Sequence, residues 1–334
     1  MTTINDIAKL AEVSRTTVSR VLNRNGYVSE DVRQRVLRAV EQTGYVPSAH
    51  AKSLRTKQSK VIGVIIPRIN TEAASRVVNG IDEYLSEYDY QILLANTQLD
   101  ADKEVEYMKL LQARQVDGII LLATNVSKTL QNVIKELKVP IVVIGQAIPG
   151  VNSVIYDDYN AAVELTKFMI EKGHKRLAFI GVNERDHAVG MLRKKGFVDT
   201  LRQYHLDVQK DWMAYGDFSI DSGYLAMKKI VTEGQGWPTA VLAVTDRMAI
   251  GGMQYLKERG VSIPHDIGVA GIGNSDMSQY VSPALTTVNY DNHKAGQKAA
   301  QTILETLNKP IGHEKDFLEK KLMINHGLIE RNSL

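Results

Sequence analysis

The sequence has no cysteine among its 334 residues, so disulfide bonds and cysteine-based metal sites are excluded. It also lacks an apolar run of about 18 residues, and its amino terminus is polar, which argues against a membrane-spanning helix and a signal peptide. No P-loop, GxSxG or HExxH motif occurs, and the eight histidines show no metal-ligand spacing. We therefore expect a soluble cytoplasmic protein without membrane partner, catalytic residues, cofactor or metal.

Basic residues are concentrated in the first part of the chain. Residues 1–60 hold eleven Lys and Arg against five Asp and Glu, a net charge of +6, which leaves −3 on the remainder because the total is +3. A basic head on a mildly acidic body is typical of a phosphate-binding module attached to another domain. RNA or an anionic membrane surface would also attract such a module, so charge alone leaves these alternatives open.

Residues 3–23 show the pattern of two short helices joined by a tight turn. Thr3 and Asp6 have the spacing of a capping box at the start of the first helix. The apolar positions of that helix recur at helical spacing, at Ile4, Ile7, Ala8, Leu10 and Ala11. Residues 11–13 supply the turn, and Ser14 can cap a second helix over residues 15–23.

The second helix divides into an apolar and a polar face. Its inward positions are Val18, Val21 and Leu22. Its outward positions carry short donors and acceptors and two guanidinium groups, without an acid, at Arg15, Thr16, Ser19, Arg20 and Asn23. These groups suit base edges and phosphates in the major groove of duplex DNA. The alternative is a small amphipathic hairpin with a solvated polar face, and the absence of acids favours DNA.

A third helix is predicted from the N-cap Ser29 to Gly44, and it would complete a three-helix headpiece over residues 1–46. Pro47 then ends the preceding structure, and Ser48 can cap a further helix that is too short to be stable alone in water. We interpret residues 47–59 as a hinge helix and linker, with an ordinary flexible linker as the alternative.

From Lys60 onward, apolar strands alternate with amphipathic helices. Strands are predicted at 61–66, 92–95, 118–122, 140–144, 177–181, 241–244 and 267–271, and helices at 74–88, 103–114, 160–172, 222–232, 249–259 and 295–307. This alternation predicts an α/β body of two doubly wound lobes. Ligands of such sheets bind beyond the carboxyl ends of the strands, so the loops there should line one shared cleft.

Several segments resemble the lactose-repressor family of bacterial transcription regulators. They are residues 3–14, 17–23, 172–181, 246–251 and 283–288. The resemblance implies a body like a periplasmic sugar-binding protein, covering residues 60–334, whose chain crosses between lobes near Tyr156, Asn289 and Leu322. The first lobe would hold about 60–156 and 290–321, and the second about 157–289 and 322–334. Without a leucine-heptad tail, a homodimer is expected rather than a tetramer.

The resemblance also implies which residues contact DNA. Tyr27 and Ser29 would lie near the backbone, Lys52 would contact phosphate, and Ala51 and Leu54 of the hinge helix would enter the minor groove. The full predicted set is Thr3, Ser14, Arg15, Thr16, Thr17, Ser19, Arg20, Asn23, Tyr27, Ser29, Tyr45, Ser48, Ala51, Lys52 and Leu54. Paired headpieces would occupy successive major grooves of a near-palindromic operator.

For the effector, the predicted binding residues are Arg68, Thr71, Arg193, Phe218, Asp246, Asn274 and Tyr290. Arg193 matches the family's arginine that bonds ligand hydroxyls, and Phe218 lies where an aromatic ring stacks on a sugar. Asp246 follows a strand and should face the cleft, although capping its own helix is an equal alternative.

Two departures from the family point to an anionic effector. The loop at 272–275 lacks the family's aspartates, and Arg68 stands where Asp is commoner. The loss of an anionic side chain and the gain of a cationic one favour an anionic effector. The candidate partners for it are Arg68, Arg185, His187, Arg193 and Lys194. We expect a sugar or sugar phosphate, with a sucrose 6-phosphate-like disaccharide favoured, since these loops look similar to those of sucrose- and trehalose-type regulators.

Two other functions remain as alternatives. A nucleotide-dependent dehydrogenase on the same body is disfavoured because the glycine cluster at 268–273 has the wrong order for GxGxxG. A sugar-binding module without DNA function is disfavoured by the intact headpiece pattern. We therefore predict a repressor of a carbohydrate-utilisation operon that its effector releases from DNA, and not an enzyme.

Overall fold

The computed structural model describes residues 2–23, 25–45, 58–308 and 319–334. The chain forms two compact units, residues 1–60 and 61–334. Among the described residues, no helix combines the length and the apolar composition that a membrane crossing needs.

The first unit contains three helices, α1 (Ile4–Leu10), α2 (Arg15–Leu22) and α3 (Glu30–Thr43). The apolar positions that the sequence repeats at helical spacing are buried against one another, among them Ile7, Val18, Val21 and Val36. Gly44 ends α3 with φ +62, a conformation that glycine adopts without steric cost.

The first lobe of the body is built on a six-stranded parallel sheet in the order β11-β5-β4-β3-β1-β2. Its strands are β1 (Val61–Ile66), β2 (Gln91–Asn96), β3 (Gly118–Leu122), β4 (Ile141–Ile144), β5 (Asn152–Tyr156) and β11 (Lys321–Ile324). Its helices are α4 (Glu72–Ser86), α5 (Ala101–Ala113), α6 (Lys128–Glu136) and α12 (Asn292–Leu307). The central strands are apolar on both faces because helices cover both sides of the sheet.

The second lobe has the strand order β12-β10-β9-β8-β6-β7, in which only the pairing of β12 with β10 is antiparallel among the described strands. The strands are β6 (Leu177–Gly181), β7 (Met213–Tyr215), β8 (Ala240–Ala243), β9 (Gly268–Ile272), β10 (Thr286–Tyr290) and β12 (His326–Ile329). The helices are α7 (Asp158–Glu171), α8 (Arg193–Gln203), α9 (Ile220–Glu233), α10 (Asp246–Glu258) and α11 (Met277–Tyr280), and a π-helical turn, His187–Leu192, precedes α8.

The chain passes between the two sheets three times. The first two passages lie between β5 and α7 and between β10 and α12. The third is expected near Leu322, but β11 pairs with β5 in the first sheet and the chain enters the second sheet at His326. Ile324 is buried in the first-lobe core and Leu322 packs against it, which holds this strand in the first lobe.

Helices α4 and α12 approach each other at two glycines. A Cβ atom on Gly80 would lie 2.0 Å from the carbonyl oxygen of His293, and one on Gly296 would lie 2.1 Å from that of Val77. Real Cβ atoms do not approach backbone so closely, so the two helices can pack at this distance only with glycine. The start of α4, which borders the cleft, is thereby fixed to the first lobe.

Candidate functional sites: a DNA-reading headpiece and an effector cleft

The capping groups of the headpiece fix the position of its second helix. The backbone N–H and the hydroxyl of Thr3 donate to the carboxylate of Asp6, at 2.9 and 2.8 Å. These bonds lower the pKa of Asp6. Ser14 accepts from the backbone N–H of Thr17 at 3.1 Å, and Glu12 turns the chain between the helices with φ +52. The predicted helix-turn-helix is therefore present.

The outward face of α2 carries the predicted base-reading groups. Arg15, Thr16, Arg20 and Asn23 are exposed, whereas Thr17 and Ser19 are half-buried. The side-chain amide of Asn23 donates to the carbonyl oxygen of Ser19 at 2.6 Å and to its hydroxyl at 3.2 Å. Because these groups lie on one helix face, they can approach a groove together.

The other predicted DNA contacts frame this face. Tyr27 is 93% exposed, and Ser29 precedes α3 without making a side-chain capping bond. Tyr45 packs partly against the headpiece core. The predicted hinge contacts Ser48, Ala51, Lys52 and Leu54 lie outside the described residues.

A cavity of about 290 Å³ lies between the two lobes, at the carboxyl ends of both sheets. Six of the seven predicted effector residues line it: Arg68, Thr71, Arg193, Phe218, Asp246 and Tyr290. Its size falls at the lower end of the range for small-molecule sites, about 300–1,000 Å³. The fold thus brings together residues that are more than 200 positions apart.

Arg193 is buried and paired. Its guanidinium, 6% exposed, contacts the carboxylate oxygen Oδ1 of Asp158 through Nε and Nη2, each at 2.6 Å. Nη1 donates to the carbonyl oxygen of Val244. Burial is the largest influence on the pKa of Arg193 and lowers it, but Asp158, Tyr290 and Asp186 together outweigh burial, so the pKa of Arg193 is raised. A guanidinium has five N–H groups, so donors remain for an effector.

Asp246 faces the cavity from the start of α10. Its two carboxylate oxygens accept from the hydroxyl of Thr287 at 2.5 Å and from the backbone N–H of Ser275 at 2.6 Å. Burial raises the pKa of this carboxyl despite these bonds. The helix is capped instead by Thr245, whose hydroxyl accepts from the N–H of Met248, so capping does not explain Asp246.

Aromatic side chains form an apolar part of the cavity wall. The rings of Tyr156 and Tyr290 lie 4.9 Å apart, and the guanidinium of Arg193 lies 5.5 Å from the ring centre of Tyr290. Phe218 enters from the second lobe with φ +70, a strained conformation for a residue with a side chain. Strain of this kind is concentrated at ligand sites.

Asn274 is the predicted effector residue that the structure does not place in the cavity lining. Its side-chain oxygen accepts from Arg331 at 2.8 Å, and its amide donates to Asn289 at 3.3 Å. Its backbone has φ +46, which asparagine tolerates better than most residues. Asn274 therefore shapes its loop, while the neighbouring Ser275 lines the cavity.

Charges of both signs line the cavity. The cations are Arg68, Arg76, Arg193 and Arg247, and the anions are Glu72, Asp158, Asp186 and Asp246. Of the candidate anion-binding residues, Arg68 and Arg193 line it, whereas Arg185, His187 and Lys194 do not. Lys194 donates to Glu184 at 2.6 Å.

Gln146 and Asp186 are site residues that the sequence reasoning missed. The amide of Gln146, in the loop after β4, donates across the cleft to Asp186 at 2.8 Å. Burial raises the pKa of Asp186. Gln146 lies two residues after the predicted strand 140–144, and this position was the signal that could have found it.

Comparison with known proteins gives matches in both units. Residues 3–48 match the family of bacterial regulatory proteins, lacI family, and residues 59–329 match the periplasmic binding proteins and sugar binding domain of the LacI family. The HTH-type transcriptional repressor PurR of Vibrio cholerae serotype O1 (strain M66-2) is 32% identical over 337 residues, covering 100% of this chain and 98% of that protein.

Solved structures agree with these matches. The lac repressor dimer bound to operator and the anti-inducer ONPF aligns with a TM-score of 0.88 and 25% identity, over 99% of this chain and 98% of that one. A complex of the transcriptional regulator CelR with cellobiose aligns with a TM-score of 0.74 and 26% identity over 100% of both chains. The chain therefore belongs to the LacI family and is a DNA-binding transcriptional repressor rather than an enzyme.

Proposed function

We propose that this repressor is a cytoplasmic homodimer that binds a near-palindromic operator and is released from it by a small carbohydrate. The observation that carries the effector class is the composition of the cleft. Charged hydrogen-bonding groups, Arg193 and Asp246, stand beside the aromatic rings of Phe218 and Tyr290 in one cavity. Sugars offer hydroxyl groups at their edges and C–H groups on their faces, so a site of this composition suits them.

We further propose that the effector carries a phosphate that Arg68 binds. Arg76 and Arg193 already contact the carboxylates of Glu72 and Asp158, which leaves Arg68 and Arg247 as the cations at the cavity wall without such a pair among the described residues. Of these two, Arg68 stands at the position where the sequence departs from the family. Hydrogen bonds from Ser219 lower the pKa of Asp217, and the charge of Arg68 contributes to that effect.

The position of Arg68 at the cavity favours a phosphorylated sugar over a neutral one. Asp217 follows β7 of the second lobe, whereas Arg68 follows β1 of the first lobe, so Arg68 lies where it can reach a ligand held by both. A guanidinium binds phosphate in a bidentate manner, which is a stronger contact than one to a neutral hydroxyl. Removing the side chain of Arg68 should therefore weaken the binding of a sugar phosphate much more than the binding of the parent sugar.

The experiment starts from an operator selected from a random duplex library. The selected operator is labelled with a fluorophore, and its release from the protein is measured as sucrose, trehalose, cellobiose or glucose is added, each with and without a 6-phosphate. Wild type should respond to a phosphorylated sugar, and Arg68→Ala should require at least about tenfold more of it. The matched control is Lys194→Ala, a cation on the same lobe as Phe218 that does not line the cavity.

The phosphate, the carbohydrate and operator recognition are each refuted by a different outcome. Release by a neutral sugar alone refutes the phosphate and keeps the carbohydrate. No response to any sugar refutes the carbohydrate. No selected sequence at low salt refutes operator recognition by the purified protein.

The homodimer is supported by apolar side chains on the first lobe. Leu93 and Leu94 are 43% and 36% exposed on β2, which lies at the edge of its sheet, and Ile69 and Leu110 are also exposed. An exposed apolar sheet edge is a common contact between subunits. We propose that this edge forms the dimer contact, and sedimentation of Leu93→Lys, which should dissociate more readily than wild type, tests it.

An effector can either weaken or strengthen operator binding, and we propose that this one weakens it. We propose that the effector stabilises a lobe arrangement that lowers operator affinity. Tighter operator binding in the presence of the active sugar would reverse this assignment.

A further inference from the structure

A set of hydrogen bonds joins the two lobes at the edge of the effector cleft. Arg76, on α4 of the first lobe, donates to the carbonyl oxygen of Asn274 at 3.0 Å and to the carboxylate of Asp276 at 2.8 Å. Glu72, one turn earlier on the same helix, accepts from the backbone N–H of Asp276 at 3.0 and 2.8 Å. Arg76 and Glu72 also contact each other. Every one of these cross-lobe bonds involves a charged group, which makes it stronger than a neutral bond.

The second-lobe side of this contact is held in place without help from the first lobe. The N–H groups of Asn274 and Ser275 donate to Thr287 at 3.2 Å and to Asp246 at 2.6 Å. Arg331 fixes the side chain of Asn274. The loop over residues 273–276 therefore presents its carbonyl and N–H groups in a fixed geometry.

The first-lobe side is equally rigid. Arg76 and Glu72 are four residues apart on α4, so their side chains share one face of the helix. The glycine crossing at Gly80 and Gly296 fixes that helix to α12. Two rigid partners that meet through several charge-assisted bonds have few intermediate arrangements, so the contact is either made or broken.

We propose that Arg76, Glu72 and residues 273–276 form a latch that keeps the cleft closed when no effector is bound. The latch residues Glu72, Arg76 and Ser275 also line the cavity, so the cleft cannot open at this edge without breaking the latch. The effector then enters from a minority open state, and the strength of the latch sets the fraction of molecules able to admit it. The latch requires only that the cleft can open, and it acts in the same way whichever effector binds.

The test measures lobe separation without effector. Because the chain has no cysteine, the double substitution Glu136→Cys and Lys229→Cys places one spin label on an exposed position of each lobe. Labelled protein is diluted into an excess of unlabelled protein, and double electron–electron resonance gives the distance within one chain. Wild type should show a single short separation.

Arg76→Met removes both of the arginine's cross-lobe bonds. It should lower the ratio of closed to open molecules by about tenfold or more, seen as a second, longer separation. Asp276→Asn keeps the backbone N–H that Glu72 accepts and should shift the distribution in the same direction, but less. The matched control Arg202→Met removes an arginine whose ion pair with Asp199 lies within one helix, and it should leave the separation unchanged.

Two results overturn the proposal. One is an identical distance distribution in wild type and in both latch variants, each shown to be folded by its melting curve. The other is a wild-type protein that is already mostly open without effector.

Discussion

The buried pair of Arg193 and Asp158 provides a sharp test of the cleft's energetics. Asp158 is 2% exposed and Arg193 is 6% exposed, so both charges have little contact with bulk water. Asp158→Ala removes the carboxylate that Arg193 bonds directly and leaves the buried guanidinium with the carbonyl of Val244, the ring of Tyr290 and the electrostatic attraction of Asp186. Removing one partner of a buried pair costs about 3–5 kcal/mol, because the remaining charge is uncompensated.

Unfolding of the second lobe can be followed by tryptophan fluorescence. Both tryptophans, Trp212 and Trp237, belong to that lobe, and Trp212 is buried in its core. With a urea dependence of about 2 kcal/mol per M, Asp158→Ala should lower the midpoint by about 1.5–2.5 M. The double variant Asp158→Ala with Arg193→Met removes both charges and should recover a large part of that loss.

A control and a refuting result complete this design. Asp199→Ala removes a carboxylate from a partly exposed pair with Lys195 on α8, together with its bond from the hydroxyl of Tyr159, and it should cost about 1 kcal/mol or less. If Asp158→Ala costs no more than this control, the pair does not stabilise the lobe as described. A double variant less stable than either single variant would also contradict the reasoning.

Three further predictions concern the headpiece and the first lobe. Exchanging Arg15 and Thr16 should change the preferred operator while effector affinity is unchanged, as measured by operator selection and calorimetry with the active sugar. Asp6 has a lowered pKa in the folded headpiece, so its contribution to stability is present above its unfolded pKa of about 3.9 and is lost as the pH falls through the folded value. Asp6→Asn should therefore melt earlier than wild type at pH 7 by circular dichroism, and the difference should vanish at low pH. Gly80→Ala places a Cβ against the carbonyl of His293 and should destabilise the first lobe by about 1–3 kcal/mol in urea unfolding.

Periodicity in the sequence predicts six of the nine helices among the described residues of the body, but it misses α6, α8 and α11 and places the starts of the six too late. The helices expected from residues 74, 103, 160, 222, 249 and 295 begin two or three residues earlier. Apolar periodicity begins only where a helix reaches the core, whereas the first turn is polar and capped, as by Asp100, Ser219 and Asp291. Capping signals could have corrected these starts.

The apolar runs of the sequence predict seven strands but miss β5 and β10, which lie inside their sheets, and the edge strands β7, β11 and β12. The central strands β1 and β3 are continuous apolar runs because both of their faces are covered. In contrast, β11 alternates between exposed and buried positions, and β7 has three residues. Such segments are fixed by the neighbouring strand, which the local sequence does not reveal.

The same distinction applies to the cleft. Arg193 could be selected from its motif, but its partner Asp158 lies 35 positions away and on another helix. The contact of Arg76 with Asp276 spans 200 positions, and the sequence near either residue gives no sign of it. Pairs of this kind depend on how the lobes meet, so only the folded chain identifies them.

The crossing of α4 and α12 has a consequence for how the protein is made. Residues 61–156 leave the ribosome early, but α12 and β11, which complete their lobe, follow only after the whole of 158–290. At about 10 residues per second, the nascent first lobe waits on the order of 10 s with Val77 and Ile81 uncovered. The second lobe, by contrast, has five of its six strands before α12 is synthesised. Chaperone protection during translation should therefore fall mainly on the lobe that is synthesised first.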